Sequence, residues 1–307
     1  MSPVTVRVAA VQLEACGEDV EANAARAEVA VRAAAAAGAE LVVLPELSVL
    51  PYFCGEKPAA YRHWAQPVDG PLTRRFAELA AELRTVVVLG LFELDVARGT
   101  RHNAAVVLEA DGAVVSAVDR TGNPRPTTRK LHLPVGDDPP PGFDEPAHFT
   151  PGDALGVHVT GTFRLGALVC YDRRFPECWR QLRALDAQLV AVPVAGSGGD
   201  GPDFLVAELR THARENGLVA ICANKVGTEW AGGRPTESIG SSCVVGADGA
   251  VLAHRPAADG PGLVLADVDL GAIAAARTRW PYFDHRRTDL FGGPASARPS
   301  GLEAHPA

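Results

Sequence analysis

Cys170 is the residue around which the possible chemistry of this chain gathers. It ends the apolar run at 165–169 and is followed by a polar turn, Tyr171–Arg174, and by Pro176, which suits the first position of a helix. A side chain at such a strand-to-helix turn is lifted to the rim of a sheet, where backbone N–H groups face whatever it attacks. A free cysteine is more often a small buried hydrophobic residue. The turn and its two arginines instead favour a nucleophile, and nearby cations are expected to lower the pKa of the thiol.

Two charged side chains at other segment ends could complete a catalytic site. A thiol nucleophile needs a base for its proton and a donor for the charge that develops on the attacked oxygen. Glu46 closes the apolar segment 40–47 and is either a helix-cap partner or a desolvated base with a raised pKa. Lys130 alone is typical of a solvated surface lysine, but beside the cysteine turn it could supply the positive charge. Among the nine histidines, His132 is the candidate in a comparable position.

The elements that must position these side chains alternate between strands and helices. Strands are predicted at 4–13, 40–47, 85–93, 156–160, 163–169, 188–193, 218–224 and 262–269, and helices at 19–37, 71–84, 176–186, 202–216 and 270–280. Asp–Gly turns at 111–112 and 248–249 predict hairpins, the first joining 102–109 to 113–119 and the second joining 241–246 to 250–254. Helix–strand units combined with hairpins predict a mixed α/β sandwich, with one domain over 1–291.

Two segments lack this pattern. Residues 120–152 are rich in Pro, Gly and Asp, and a loop of this length inside a compact domain is usually functional or disordered. The tail at 292–307 has the composition of a disordered terminus.

Composition excludes several classes of protein. The chain has 307 residues, enough for a sizeable core, and its net charge of −8 argues against nucleic acid or an anionic membrane as the main partner. Its first residues lack the basic segment of a secretion signal, and no apolar run approaches the ~18 residues of a membrane span. The six cysteines form no CxxC pair, so neither a zinc site nor a disulfide framework is indicated, and a cytoplasmic location with reduced thiols is expected.

Five segments resemble the nitrilase superfamily of carbon–nitrogen hydrolases. They are PELSVLPYFC (45–54), RKLHLP (129–134), GFDEPAHFTPGD (142–153), VCYDRRFPECWR (169–180) and THARENGLVAICANKVG (211–227). The resemblance covers roughly residues 4–291 and implies a four-layer α-β-β-α sandwich. It implies a catalytic triad of Glu46, Lys130 and Cys170, with a second glutamate, Glu145, that orients the lysine and the substrate.

The same resemblance implies a reaction that needs no cofactor or metal. Glu46 would handle the protons, while Lys130 and the backbone N–H of Tyr171 would bind the oxyanion of the substrate. The substrate would be a small molecule, and the chain would assemble as a homodimer or a higher homo-oligomer.

The segment CYDRRFPE is similar to that of N-carbamoyl-D-amino acid amidohydrolases. In that group adjacent arginines meet the substrate carboxylate and a histidine near the lysine contacts the substrate, which implies these roles for Arg173, Arg174 and His132. A fork of guanidinium donors suits a carboxylate. The alternative is a structural ion pair of the arginines with Asp172 or Glu177.

Other positions depart from that group. Tyr171 stands where it usually has Asn, and LPYFC (50–54) looks more like carbamoylputrescine amidases and β-ureidopropionases, with Tyr52 and Phe53 either lining the pocket or packing. An N-carbamoyl amino acid or N-carbamoyl-β-alanine amidohydrolase is the first hypothesis, because an arginine pair would repel a cationic carbamoyl-diamine. A carbamoylputrescine amidase and a general aliphatic amidase or nitrilase remain as alternatives. A binding or scaffold protein without turnover is disfavoured, because the implied triad is complete.

Overall fold

Strands and helices alternate along most of the computed structural model, which describes residues 4–56, 58–136, 142–196 and 201–291. The strands are β1 Thr5–Glu14, β2 Leu41–Val43, β3 Val86–Asp95, β4 Thr100–Leu108, β5 Ala117–Asp119, β6 Pro124–Arg125, β7 Thr128–Arg129, β8 Val135–Gly136, β9 Phe143–Asp144, β10 Gly156–Val159, β11 Arg164–Ala167, β12 Leu189–Val194, β13 Val219–Ala231, β14 Arg234–Ile239, β15 Ser242–Val245, β16 Val251–Arg255 and β17 Gly262–Asp269. The helices are α1 Val20–Ala36, α2 Pro58–Tyr61, α3 Pro71–Leu83, α4 Glu145–His148, α5 Pro176–Ala184, α6 Gly201–Asn216, α7 Leu270–Arg279 and α8 Thr288–Phe291. The five helices and eight strands predicted above are present, most with shifted ends.

Fifteen of the described strands lie in two joined sheets, and β8 pairs with β9 apart from them. The first sheet has the order β17-β1-β2-β3-β4-β7, and the second has the order β6-β5-β10-β11-β12-β13-β15-β16, while β14 pairs with the second half of β13. The two sheets are joined where the end of β1 runs parallel to the middle of β13, with Leu13 opposite Lys225. β2 pairs in parallel with both β1 and β3, and β12 pairs in parallel with both β11 and β13, because helical crossovers connect these strands.

Three separate apolar cores show that the sheets and helices form four layers. Along β1, Val6 and Val8 face the second sheet, while the alternate residues Ala9 and Val11 face α1 and α3, as a period of two requires. A third core lies between the second sheet and α5 and α6, around the fully buried Trp179. The predicted α-β-β-α sandwich is therefore confirmed.

The first of the two predicted hairpins forms only next to its turn. The Glu109 N–H donates to the Ala113 oxygen at 2.8 Å, the Val115 N–H donates to the Val107 oxygen at 2.9 Å, and Leu108 pairs with Val114. The chain then leaves β4, and β5 pairs with β10 in the other sheet. An Asp–Gly pair predicts where the chain reverses, but it does not determine which sheet the next strand joins. The second hairpin, β15 with β16, is confirmed. The sequence pattern also missed β14, which pairs with the extended second half of β13.

The loop predicted at 120–152 contains only the short elements β6 to β9 and α4 in its described part. It carries three of the residues singled out by the sequence, Lys130, His132 and Glu145. Among the residues that the structure describes, no helix combines the length and apolar character needed to cross a membrane. The tail at 292–307 lies outside the described residues, and the domain limits stay a prediction.

Candidate active site

Glu46 lies in a tight turn just beyond β2. The hydroxyl of Ser48 donates to the Pro45 oxygen at 2.6 Å and accepts the Gly90 N–H at 2.9 Å, which fastens the turn to β3. A Cβ on Gly90 would lie 2.7 Å from the nitrogen of Leu47 and closer still to the Pro45 oxygen, so the approach requires a glycine. The side chain of Glu46 is fully buried, and in the described residues its hydrogen-bond partners are Asn103, Lys130 and Ala195, none of which lies in a helix.

Lys130 joins two glutamates in the interior. Its Nζ lies 2.8 Å from Oε1 of Glu46 and 2.7 Å from Oε1 of Glu145, and all three side chains are at most 1% exposed. The hydroxyl of Tyr52 also donates to Oε1 of Glu145, at 2.8 Å. The surface-lysine alternative is therefore excluded, and the structure brings together three of the four residues that the resemblance marks as catalytic.

The fourth of these residues, Cys170, begins a 3₁₀ turn, Cys170–Arg174, which we call the Cys170 turn. Cys170 has a φ of +50°, a left-handed conformation that costs a non-glycine residue about 1–2 kcal/mol. The buried Asp172 in this turn accepts the N–H groups of Leu131 and His132 at 3.1 and 2.9 Å. These bonds join the Cys170 turn to the segment 130–132, which carries Lys130. Cys170 is partly exposed, whereas the other five cysteines, all in described residues, are buried.

The hydrogen bonds to Glu46 show which of its oxygens has an acceptor site left. Oε1 accepts Lys130 Nζ at 2.8 Å and the side-chain N–H of Asn103 at 2.6 Å, while Oε2 accepts the Ala195 N–H at 2.9 Å. Each carboxylate oxygen has two acceptor sites, so the remaining site lies on Oε2. Oε2 is therefore the oxygen of Glu46 that can take a proton.

The sequence predicted a raised pKa for Glu46 and a lowered pKa for Cys170, and both predictions are wrong in direction. Burial alone would raise the pKa of Glu46, but the charge of Lys130 and the hydrogen bonds from Lys130 and Ala195 outweigh it and lower the pKa. Burial and the Glu46 carboxylate raise the pKa of the Cys170 thiol to about 12, with Lys130 and Arg173 opposing in part. The site therefore rests with a protonated thiol beside an ionised base.

Glu145 has a different electrostatic environment. Burial is the main cause that raises its pKa to about 7, and the charge of Glu46 adds to it, while Lys130 and Tyr52 act in the opposite direction. Two facing glutamates hold the pKa of Lys130 well above its usual value, although burial opposes this. Within the described part of the chain, the buried Oε2 of Glu145 has no hydrogen-bond partner. A buried polar atom in this state can accept a hydrogen bond from an ordered water or from a group bound at the site.

The two arginines of the Cys170 turn have different environments. Nε of Arg173 lies 2.9 Å from Oε2 of Glu208 in α6, and its Nη1 donates to the Cys170 carbonyl at 3.0 Å. Arg174 is half-buried, and its guanidinium lies 5.5 Å from the ring centre of Tyr171. The geometry at Arg173 favours the structural ion pair, although the partner is Glu208 rather than a neighbour in sequence.

His132 is held beside the Cys170 turn. Its ring stacks on Phe175 with centroids 3.5 Å apart, and its Nδ1 lies 2.8 Å from Oδ1 of Asp172. Of the described residues, one group could hold a metal ion by its donor types: His132, Asp172 and Cys178, whose ligand atoms lie within 4.8 Å of one another. Oδ1 of Asp172 already accepts the His132 N–H at 2.9 Å, so hydrogen bonding accounts for its position.

Sequence reasoning missed several residues that shape this site. Asn103, the Ala195 N–H and Gly90 were not identified. For Asn103 the sequence offers one indication, because it is a polar residue immediately before the apolar run 104–108 in β4. For Glu208 the sequence offers no such indication, because it lies on α6, far along the chain from the Cys170 turn.

Comparisons with known proteins agree with the chemistry of this arrangement. A family model for carbon-nitrogen hydrolase matches residues 7–278. The N-carbamoylputrescine amidase of Solanum lycopersicum is 32% identical over 298 residues, 93% of either chain. The carbon-nitrogen hydrolase of Helicobacter pylori has a similar structure, with a TM-score of 0.79, 30% identity and coverage of 94% of this chain and 98% of that one. The amidase of Nesterenkonia sp. AN1, solved with the acetamide moiety of fluoroacetamide added covalently at its active-site cysteine, has a TM-score of 0.74 and 28% identity, covering 93% and 95% of the two chains.

Proposed function

Because this chain belongs to the carbon–nitrogen hydrolases of the nitrilase superfamily and is a cysteine-dependent enzyme, we propose that it uses Cys170 to hydrolyse the carbamoyl group of an N-carbamoyl amine. One observation carries the proposal. Lys130 binds Oε1 of a buried, ionised Glu46, Oε2 of Glu46 keeps an acceptor site, and the charges of both residues act on the Cys170 thiol. This is an activated nucleophile in the general sense, with base and cation in contact.

The first step is the attack of sulfur on the carbamoyl carbon. Oε2 of Glu46 takes the thiol proton while the C–S bond forms and the carbonyl π electrons move to oxygen. Two of the three ammonium hydrogens of Lys130 are used by Glu46 and Glu145, which leaves the third for the oxyanion. The N–H of Tyr171 is the second donor, and such donors act strongly in a water-excluded site.

The second step breaks the C–N bond and regenerates the thiol. Glu46 returns its proton to the terminal nitrogen of the tetrahedral adduct, and ammonia departs from the adduct, which leaves an S-(N-alkylcarbamoyl) cysteine. A water molecule then attacks this intermediate, with Glu46 again taking the proton, and the sulfur leaves and is reprotonated. The product is a carbamic acid, which decays to carbon dioxide and the amine. The unpartnered Oε2 of Glu145 accepts a hydrogen bond from the carbamoyl nitrogen.

The tail of the substrate is an aliphatic amine of the putrescine type. The sequence argument against a cationic tail relied on two uncompensated arginines, but the charge of Arg173 is paired with Glu208. The likeness to an N-carbamoylputrescine amidase over 93% of the chain supports the same substrate class. The second candidate is an N-carbamoyl amino acid or N-carbamoyl-β-alanine, and the half-buried Arg174 beside the nucleophile favours it.

Ammonia release from a panel of substrates tests the proposal. The panel contains N-carbamoylputrescine, N-carbamoyl-β-alanine, N-carbamoyl-D- and L-amino acids, an aliphatic amide and a nitrile, with Cys170→Ala as the blank. We expect the highest kcat/KM for N-carbamoylputrescine and no turnover in the blank. Turnover restricted to the carboxylate-bearing compounds would favour the second candidate, and turnover of only the amide or nitrile would contradict the carbamoyl assignment while leaving the triad intact.

A further inference from the structure

Arg173 lies between the nucleophile and α6, where it contacts Cys170 on one side and Glu208 on the other. We propose that the Arg173–Glu208 pair positions the Cys170 turn for catalysis and does not contact the substrate. The proposal deepens the proposed function, because it takes Cys170 as the nucleophile. It assigns a positioning role to a residue whose sequence context suggested carboxylate recognition.

The contacts of Arg173 fix the backbone on which the nucleophile stands. Its Nη1 donates to the carbonyl of Cys170 at 3.0 Å, and its own carbonyl accepts the indole N–H of Trp179 at 2.7 Å. Trp179 belongs to α5 and is fully buried, whereas Glu208 belongs to α6. The Cys170 turn is therefore held by both helices of the layer that covers the second sheet.

The turn needs such a restraint because Cys170 has a φ of +50°. A non-glycine residue leaves the left-handed region unless the surrounding structure holds it there. Rotation of the Cys170 backbone would move the sulfur away from Oε2 of Glu46, and displacements of about 1 Å in a catalytic group can reduce a rate ~10²-fold. The hydrogen bond to the Cys170 carbonyl opposes this rotation directly.

Burial and charge make Arg173 a poor ligand for a substrate carboxylate. The side chains of Arg173 and Glu208 are only 7% and 8% exposed. A substrate carboxylate that took the guanidinium would compete with the buried Glu208 for this counter-charge, and weakening a buried ion pair is unfavourable. The cation is instead used within the protein, where it also acts to lower the pKa of the Cys170 thiol against the effect of burial.

Two variants test the positioning role. Arg173→Lys keeps the charge but loses the planar fork that reaches the Cys170 carbonyl and Glu208 together. The double variant Arg173→Met/Glu208→Met removes the pair without leaving a buried charge, a replacement that proteins often tolerate. The matched control is Glu215→Gln, because Glu215 also lies on α6 and pairs with an arginine of α5, Arg180, at 3.3 Å without touching the Cys170 turn.

The measurements separate positioning from substrate binding. We expect both variants to lower kcat ~10–100-fold for N-carbamoylputrescine and N-carbamoyl-β-alanine alike, with KM within ~3-fold of wild type. Alkylation of Cys170 by iodoacetamide in the double variant should begin at higher pH, because a cation near the thiol is lost. The control should stay within ~2-fold of wild type in each measurement.

Two results would overturn the proposal. A rise in KM confined to the carboxylate-bearing substrates would make Arg173 a substrate ligand, and unchanged kcat, KM and alkylation would make the pair ordinary packing. If the wild-type chain hydrolysed no carbamoyl compound, the proposed function would fail on its own. The alkylation profile of Cys170 would still decide the role of the pair, because it needs no substrate.

Discussion

Asn103 donates its side-chain amide to Oε1 of Glu46 at 2.6 Å, the same oxygen that Lys130 binds at 2.8 Å. Both acceptor sites of this oxygen are thereby occupied, and the basic lone pair is confined to Oε2. The backbone carbonyl of Asn103 also accepts the N–H of Lys130 at 2.8 Å. A single residue of β4 thus orients the base and holds the loop that carries the lysine.

The substitution Asn103→Ala should therefore change the pH dependence of the enzyme. The charged form of Glu46 loses a donor, so the pKa of Glu46 rises and the acid limb of kcat/KM moves to higher pH. Loss of a hydrogen bond to a charged group predicts a ~10–100-fold lower kcat. Asn216→Ala is the control, because Asn216 is equally buried but its amide binds the His212 carbonyl. An acid limb that stays in place would show that Asn103 does not act on Glu46.

Gly90 should be intolerant of even one methyl group. A Cβ at this position would lie 2.7 Å from the nitrogen of Leu47, in the turn that presents Glu46. We expect Gly90→Ala to lower kcat/KM by at least ~10-fold and to reduce the free energy of unfolding by about 1–3 kcal/mol. Gly161→Ala is the matched control, since nothing lies within 4 Å of its Cβ position. Equal unfolding curves and equal activity for the two variants would contradict the close approach.

Alkylation should distinguish Cys170 from the other cysteines. Cys170 is partly exposed and the charges of Glu46 and Lys130 act on its thiol, whereas the remaining five are buried. Iodoacetamide followed by peptide mass spectrometry should therefore label Cys170 first. A buried cysteine that reacts faster would argue against Cys170 as the nucleophile.

The variant Glu46→Gln separates the two effects of Glu46 on this thiol. The carboxylate raises the pKa of Cys170, so its removal should lower that pKa and shift the alkylation profile toward lower pH. Hydrolysis should nevertheless fall ~10²–10⁴-fold, because the base is lost. Glu82→Gln is a control for charge removal at the surface, where Glu82 pairs with Arg32. A shift of the profile toward higher pH in Glu46→Gln would contradict the repulsion between carboxylate and thiolate.

The layers of the fold could be predicted because local patterns report them. Alternation along β1 and the apolar run of β2 indicate strands with two covered faces, and the Asp–Gly turn at 248–249 indicates a true hairpin. The turn at 111–112 looks the same in sequence, yet the chain after it crosses to the other sheet. The partner of β5 is β10, which lies beyond the segment 120–152 in the chain, and no local pattern contains such a distant pairing.

The site could be predicted in its residues but not in its electrostatics. The motifs around Glu46, Lys130 and Cys170 identify the groups, and the structure places them together. The signs of two pKa shifts were wrong, because they depend on a balance between burial and donors that only the folded geometry defines. The N–H of Ala195 is such a donor, supplied by the backbone 149 positions from Glu46, where any side chain could have stood.

His158 supports the strand that leads to Lys130, and its burial makes stability depend on pH. It is fully buried, its Nε2 lies 3.1 Å from the hydroxyl of Thr128, and its Nδ1 lies 2.6 Å from the Val115 oxygen. Burial lowers its pKa to about 4, with the bond to the Val115 oxygen opposing. The folded state therefore holds the neutral ring, while the unfolded chain binds a proton below about pH 6.5.

The stabilisation from neutral His158 should be complete above pH 6.5 and decline as the pH falls toward 4. The difference between the pKa of about 4 in the folded protein and about 6.5 in the unfolded chain corresponds to at most about 3 kcal/mol in the free energy of unfolding. We expect the free energy of unfolding in urea, compared at about pH 7.5 and 4.5, to drop less in His158→Gln than in wild type, since Gln carries no titrating ring. Other groups titrate in the same window, so the difference between the chains is the measured quantity. His285→Gln, at an exposed position, should match wild type. An equal drop in His158→Gln and wild type would mean that His158 takes up its proton without unfolding the strand it supports.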